Sequence, residues 1–227
     1  MQQTSYRHKL TRFDLPPTPH FSRDDYLQGD FDAGTLKTTF GTRVIVLPEE
    51  LVRGLHEALE FETGRAWSVV CYSCGRNWGA RLMQMMQHEW REHHRQQLEH
   101  MDFHMFEVWM GEYFRFNGWG ELSIDFSLEH RGIVQFWLKD SVLDTILADF
   151  PHDFVNEIFS GVVASMSTWL AGRELDCIEV AQASADERGA LLAVTLPERV
   201  SHARRMRASN ASVDEMLDAL SASPEGS

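Results

Sequence analysis

The sequence lacks the features of membrane-spanning and secreted proteins. No stretch reaches the roughly 18 consecutive apolar residues that a transmembrane helix requires, and the N-terminal stretch has basic residues but no apolar core of a secretory signal. The chain has three cysteines, an odd number that fits a reducing compartment better than a disulfide framework. These absences predict a cytoplasmic protein with no membrane-spanning segment.

Signatures of common catalytic sites are missing as well. The phosphate-binding patterns GxxxxGK[ST] and GxGxxG and the nucleophile elbow GxSxG do not occur. His88-Glu89 does not open an HExxH motif, because Glu92 stands where the second histidine would be. Cys71 and Cys74 form a single CxxC, without the second pair of a zinc knuckle. We interpret this pair either as a redox motif or as two small buried thiols. No catalytic residue is predicted, so an enzyme is unsupported but not excluded.

The composition indicates a folded domain with more aromatic residues than its core alone requires. Of the 227 residues, 43% are hydrophobic, and they include seven Trp and fourteen Phe. This is enough for a core and for aromatic side chains that line a pocket. The net charge of −13 repels phosphate backbones, so nucleic acid is not expected as a partner.

Three segments divide the chain by composition. Residues 1–33 are polar and rich in proline, which predicts a flexible arm. Residues 34–197 contain strand and helix patterns in mixed order, and residues 198–227 predict a polar C-terminal tail with a short amphipathic helix. The strand patterns lie at 35–48, 117–126, 132–139, 176–184 and 190–196, and the helix patterns at 49–64, 78–94, 101–115 and 154–172. Mixed order of this kind predicts an α+β fold, with an antiparallel sheet covered on one face by long helices.

Histidines are concentrated in one polar stretch. His88, His93, His94, His100 and His104 lie within seventeen residues, and the last two share a helix face because they are four apart. Such pairs bind metal ions or the central ion of a tetrapyrrole. The alternative interpretation is a solvated helix end, since the residues around them are nearly all polar.

Four motifs, in order, resemble the 4-vinyl-reductase domain family. They are Gly75-x-x-x-Gly79 at a long helix, Gly118-Trp119-Gly120 opening a strand, Lys139-Asp140-Ser141 leading into a helix, and Gly161 followed by Gly172 and Glu179. The resemblance covers roughly residues 35–196. It implies a fold shared with trafficking-complex subunits and with nitric-oxide and phenol sensor domains, in a free-standing member of the family.

The resemblance also directs attention to a zinc site. Many relatives carry zinc on cysteines and a glutamate, at positions that correspond here to Asn156, Glu179, Gln182 and Ala190. Only Glu179 matches, and Zn²⁺ favours thiolate and imidazole ligands, so no zinc and no other metal is expected there. Glu179 is then expected either to face solvent or pair with Arg173, or to cap a helix end.

The functions of the family imply a non-catalytic domain that binds a planar hydrophobic ligand, with a tetrapyrrole as one candidate. They also imply a role in photosynthetic pigment or photosystem biogenesis. The cofactor itself stays unknown. The expected ligand-binding residues are Trp119, Trp137, Phe106, Trp109, Phe114, Trp169, His100 and His104. Phe136 belongs to the same pool, but alternation along a strand allows only one of Phe136 and Trp137 to face inward.

Two alternatives remain open at this point. The first is a reductase acting on a vinyl group of a chlorophyll precursor, for which the sequence shows no dinucleotide fingerprint and too few cysteines for a four-cysteine cluster. The second is an interaction module, either a homodimer formed through the apolar helix at 154–172 or a complex with another protein.

Overall fold

Strands and helices are intermixed along the chain. The structure, a computed structural model, describes residues 20–21, 26–98, 101, 103–181 and 189–221. The strands are β1 (Leu27–Asp30), β2 (Thr35–Thr38), β3 (Arg43–Val44), β4 (Glu121–Asp125), β5 (Val134–Lys139), β6 (Asp176–Ala181) and β7 (Gly189–Thr195). The helices are α1 (Glu49–Thr63), α2 (Trp67–His94), α3 (Phe103–Phe116), α4 (Val142–Ile146), α5 (Glu157–Ala171), α6 (Pro197–Ala208) and α7 (Val213–Ser221).

The main sheet has four antiparallel strands in the order β4-β5-β7-β6. A small sheet of β1, β2 and β3 stands apart from it. In β5, Phe136 and Leu138 are buried in the main core, whereas Trp137 between them is 38% exposed on the other face. This is the alternation expected of a strand. The mixed helices and antiparallel sheets confirm the predicted α+β fold.

Glycines bring α2 and α5 into backbone contact. A Cβ on Gly79 would lie 2.8 Å from the carbonyl oxygen of Val162, and one on Gly75 or Gly161 would overlap the backbone of the other helix. Gly75 meets residues 158–161 and Gly79 meets residues 162–165, so the two helices run parallel. The Ser165 hydroxyl donates to the Arg76 carbonyl oxygen at 2.7 Å. The GxxxG spacing is therefore a helix-packing surface, and it needs residues without side chains.

The Gly-Trp-Gly segment turns the chain from α3 into β4. Gly120 has φ +123°, and a Cβ there would lie 2.6 Å from the Lys139 carbonyl oxygen on β5. The Trp119 carbonyl oxygen accepts from the Val142 amide, and the Ser141 side chain accepts from the Leu143 amide, which caps α4. The motif thus joins the start of β4 to the step from β5 into α4.

Helices α6 and α7 cover the second face of the main sheet, whereas the sequence predicted helices on one face only. Val200, Ala203, Met216 and Leu220 are buried against sheet residues that include Ile178 and Leu191. Arg204 on α6 donates two hydrogen bonds to the Asp176 carboxylate, each 3.1 Å long. Residues 198–221 are therefore folded and do not form the expected tail. The basic residues that suggested a polar tail instead fasten α6 to β6.

Further boundaries differ from the sequence expectations. Residues 67–79, expected as an apolar run before a helix, are the first half of the single helix α2, so Cys71 and Cys74 lie inside a helix. The expected N-terminal arm is described only at residues 20–21 and 26–33, where Tyr26 is buried and β1 pairs with β2. Helix α5 packs against α2 and the sheet, and nine of its fifteen residues are buried, so little of its surface is left for a partner. In the described residues, no helix is both long and apolar enough to cross a membrane.

A helix-packing role for the glycines is tested by alanine substitution. Gly161→Ala is expected to lower the free energy of unfolding by about 1–3 kcal/mol, because the methyl group forces α2 and α5 apart. Gly54→Ala in α1 is the matched control: its Cβ meets nothing within 4 Å, and it is expected to raise stability by about 0.5–1 kcal/mol. Urea unfolding followed by circular dichroism measures both. Equal effects of the two variants would contradict this role.

Candidate ligand-binding site

An apolar cavity lies between the C-terminal end of α5, the start of α3 and the inner face of the main sheet. Its volume is about 480 Å³, within the range of roughly 300–1,000 Å³ that is usual for small-molecule sites. Ser167 supplies the one hydroxyl among the described lining residues. The walls are otherwise apolar and carry five aromatic rings: Phe103, Phe106, Phe126, Phe136 and Trp169.

A second hollow has a different character. Its volume is about 290 Å³, and it lies against β1 and β2. Its lining consists of polar residues, such as Gln28, Asp30 and Lys37, and of glycines. An apolar or aromatic molecule has little surface to bury there. The aromatic cavity under α5 is therefore the candidate ligand site.

The residues predicted to line the ligand pocket lie in several different parts of the fold. Phe106 and Trp169 line the cavity. Trp119 and Phe114 pack edge to face at 5.3 Å in the core cluster that also contains Phe159, away from the cavity lining. Trp109 is buried beside His20 and Trp90. Trp137 is on the opposite face of the sheet, and its inward neighbour Phe136 lines the cavity instead.

His104, one of the two predicted histidine ligands, does not line the cavity. His104 is on an exposed part of α3, with its Nδ1 3.6 Å from Glu107 Oε2. His100 lies outside the described residues. Phe103 and Phe126, which line the cavity with a ring-centroid distance of 4.9 Å, were not among the expected residues. Helical periodicity marks Phe103 as one of several apolar residues of α3, but no sequence signal places Phe126 opposite it.

Glu179 is at the centre of a buried polar network. It is fully buried, and its carboxylate accepts two hydrogen bonds of 2.9 Å from Asn156, one from the backbone N–H and one from the side-chain amide. The same amide group donates to Asp144 at 2.7 Å, and the Ser141 hydroxyl donates to Asn156 Oδ1 at 2.6 Å. Glu179 thus neither faces solvent nor pairs with Arg173. It binds the residue that precedes α5, as the helix-end alternative predicts.

The network includes positions that correspond to zinc ligands in relatives. Asn156 and Glu179 are in direct contact, Ala190 is a buried residue of β7, and Gln182 lies outside the described residues. A carboxylate and an amide with no thiolate or imidazole are a poor donor set for Zn²⁺. The amide hydrogen bonds of Asn156 instead join α4, α5 and β6.

Burial controls the protonation of this network. Loss of solvation raises the pKa of Glu179 to about 8, against the opposing hydrogen bonds from Asn156. Burial also raises the pKa of Asp144. Neighbouring Glu157 keeps a partner, because Arg207 donates to its carboxylate at 2.6 Å. At neutral pH Glu179 therefore holds a proton on a carboxyl group that is enclosed by the protein.

The three cysteines differ in their exposure to solvent. All three are free thiols, with Cys71 and Cys177 buried and Cys74 exposed. Burial raises the pKa of Cys71 to about 12, so its thiol stays protonated at neutral pH. The structure therefore favours the interpretation of Cys71 as a packing residue, whereas Cys74 is at the surface.

Comparison with known proteins identifies a similar fold. No protein-family model matches the chain, and no curated protein matches it. Among solved structures, the chain is similar to the phenol-responsive sensory domain of the transcription activator PoxR, crystallised with phenol. The TM-score is 0.58 at 17% sequence identity, and the match covers 81% of this chain and 92% of the PoxR domain. At this identity the likeness establishes the fold.

Because folded Glu179 keeps its proton, the protein is expected to become less stable as pH rises. An unfolded Glu releases its proton near pH 4.5, whereas folded Glu179 holds it to about pH 8. The folded state therefore binds the extra proton between these values, and the free energy of unfolding falls as pH rises from about 4.5 to about 8. The expected loss is on the order of a few kcal/mol.

Glu179→Gln is expected to flatten this slope. The variant is less stable than the parent near pH 5, because its amide nitrogen cannot accept a hydrogen bond from Asn156, and the difference shrinks toward pH 9. Urea unfolding across this range provides the measurement, and Glu174→Gln at an exposed position is the control. Identical slopes in parent and Glu179→Gln would show that Glu179 is ionised in the fold.

Proposed function

We propose that this chain is a non-catalytic domain that binds a planar hydrophobic molecule in the cavity under the C-terminal end of α5. The observation that carries the proposal is the concentration of aromatic rings around a hollow of about 480 Å³. Flat aromatic side chains stack on flat ligands, and a single hydroxyl such as that of Ser167 can orient a polar substituent. The phenol complex of the similarly folded PoxR domain supports a small aromatic compound as the first probe.

The narrower predictions from the sequence resemblance remain part of the proposal. They are membership of the 4-vinyl-reductase domain family, a tetrapyrrole as the ligand, a role in photosynthetic pigment or photosystem biogenesis, and a cytoplasmic location. Among the described residues, the cavity lining contains no histidine for the central ion of a tetrapyrrole. The described walls would hold a tetrapyrrole by its apolar faces, and a smaller aromatic compound matches them at least as well.

Ligand binding is tested by isothermal titration calorimetry of the full chain with phenol, a bicyclic aromatic compound and a porphyrin. One binding site is expected for at least one of these probes. Trp169→Ala, which removes a cavity wall, and Leu170→Trp, which fills the hollow, are expected to weaken binding about tenfold. Trp137→Ala, an aromatic truncation on the opposite face of the sheet, is the matched control and should bind like the parent.

Two results would overturn this proposal. One is the absence of saturable binding to all three probes. The other is binding that Trp137→Ala weakens as much as Trp169→Ala does. Turnover of a divinyl chlorophyll precursor with an added reductant would instead favour the reductase alternative, in which the same cavity holds a substrate.

An interaction module is the second candidate function, and an exposed apolar surface on and before α1 favours it. Large apolar side chains are 48–84% exposed at six positions: Ile45, Val46, Leu47, Leu51, Leu55 and Phe61. Exposed apolar residues grouped in this way mark interaction surfaces more often than isolated ones do. A homodimer, predicted above through the helix at 154–172, would use α1 instead, because α5 is buried.

Self-association through α1 predicts a dimer that charge disrupts. Size-exclusion chromatography with light scattering should give twice the chain mass for the parent and the single-chain mass for Leu51→Glu/Leu55→Glu, because charged groups are costly to bury at an interface. Phe31→Ser, at an exposed aromatic residue of the β1–β2 turn, is the control and should stay dimeric. A parent protein that elutes at the single-chain mass at all concentrations would contradict this candidate function.

A further inference from the structure

Three histidines from distant parts of the sequence converge at the C-terminal end of α2. His93 and His94 lie in its last turn, and His20 comes from the segment before β1. The potential ligand atoms of the three rings all lie within 4.8 Å of one another. The ring centroid of His20 is 5.0 Å from that of His93 and 5.9 Å from that of His94. Three imidazole rings from two distant segments are therefore close neighbours.

His20 is buried there without a conventional partner. Its side chain is 2% exposed, and neither ring nitrogen has a hydrogen-bond partner among the described residues. The buried Nε2 of His94 likewise has no hydrogen-bond partner among the described residues. An unsatisfied buried polar group costs about 1–3 kcal/mol. An ion bound between the rings would bind one nitrogen of each ring, and would explain why the chain places a histidine in an aromatic core.

A buried carboxylate stands beside the cluster. Glu89 on α2 is fully buried, and its Oε2 lies 3.8 Å from His20 Nε2. Glu89 is held by hydrogen bonds from the hydroxyls of Tyr26 at 2.7 Å and Thr38 at 3.1 Å. In many metal sites a carboxylate that accepts a hydrogen bond from a ligating histidine orients the ring. At 3.8 Å, Glu89 is an ion-pair neighbour of His20 and not a hydrogen-bond partner.

The aromatic residues around His20 limit its movement. Phe40 stacks on the ring at 5.6 Å, and Trp109 contacts it edge to face at 5.3 Å. The nitrogens of a tetrahedral zinc site lie about 3.4 Å apart, given Zn–N distances of about 2.0–2.1 Å. The ligand atoms here lie within 4.8 Å of one another, so binding a common ion requires them to move closer together, and His93 is the exposed ring of the three.

We propose that His20, His93 and His94 bind one divalent transition-metal ion, with Glu89 as the adjacent carboxylate. Three imidazoles suit Zn²⁺, Ni²⁺, Co²⁺ or Cu²⁺, whereas Ca²⁺ and Mg²⁺ require oxygen ligands. The site is far from the Asn156–Glu179 network in the sequence, and it shares no residue with the cavity lining. It fastens the segment before β1 to the end of α2, so its role is to stabilise this part of the fold.

The metal alone is the probe. The full chain, stripped with a chelator and dialysed, is titrated with Zn²⁺ by calorimetry and with Co²⁺ by visible absorption. One ion per chain is expected, together with a rise in melting temperature on Zn²⁺ addition. His93→Ala and His94→Ala should each weaken Zn²⁺ binding at least about tenfold. His93 is exposed, so its substitution leaves the fold intact even if His20→Ala does not fold.

His130→Ala, at an exposed histidine on a 3₁₀ turn, is the matched control and should retain the parent affinity. The proposal is overturned if the parent shows no saturable Zn²⁺ or Co²⁺ binding. It is also overturned if His93→Ala and His94→Ala bind as tightly as the parent, because surface histidines elsewhere would then hold the ion. Neither outcome affects ligand binding in the cavity, so this proposal and the proposed function fail separately.

Discussion

Two helix backbones meet at glycines, and this contact determines the arrangement of the domain. Gly75 and Gly79 on α2 and Gly161 on α5 leave no room for a Cβ, so the helices pack closer than side chains would allow. The contact extends to Ser165, and the aromatic cavity begins at Ser167, where α5 continues beyond it. The N-terminal part of α5 is therefore packed tightly against α2, and its C-terminal end borders the cavity.

The second constraint is the buried network around Glu179. Asn156 holds α4, α5 and β6 together through its side-chain and backbone hydrogen bonds. Such a network stabilises the fold only while every member is satisfied, because an unpaired buried charge costs several kcal/mol. The raised pKa of Glu179 is the result: the carboxyl group keeps its proton and avoids a buried charge.

Much of the fold is predictable from local sequence, and much of the candidate site is not. Apolar periodicity predicts α1, α3, α5 and the strands of the main sheet, and strand alternation requires that only one of Phe136 and Trp137 faces inward. Which of them does so depends on the register with β7, which periodicity does not give. Phe126 is missed for a similar reason, because the turn after β4 brings it to Phe103 through tertiary packing alone.

Distance along the chain explains the other differences. His93 and His94 stand out in a histidine-rich stretch, but His20 is in a proline-rich segment far upstream, and no spacing rule connects them. The residues after 197 were predicted to form a polar tail because the sequence shows no partner for Arg204 and Arg207. Their partners, Asp176 and Glu157, become neighbours only when α6 lies on β6.

The cavity under the C-terminal end of α5 is expected to bind the ligand, whereas the α2–α5 contact is expected to be too tightly packed to do so. Methyl-labelled NMR during a titration with phenol tests it most directly. Saturable shifts are expected for Met101, Val134, Leu170 and Val194, which line the hollow, and none for Met83 and Val162 in the packed core. Shifts spread equally over both groups, or absent from the first, would contradict the account.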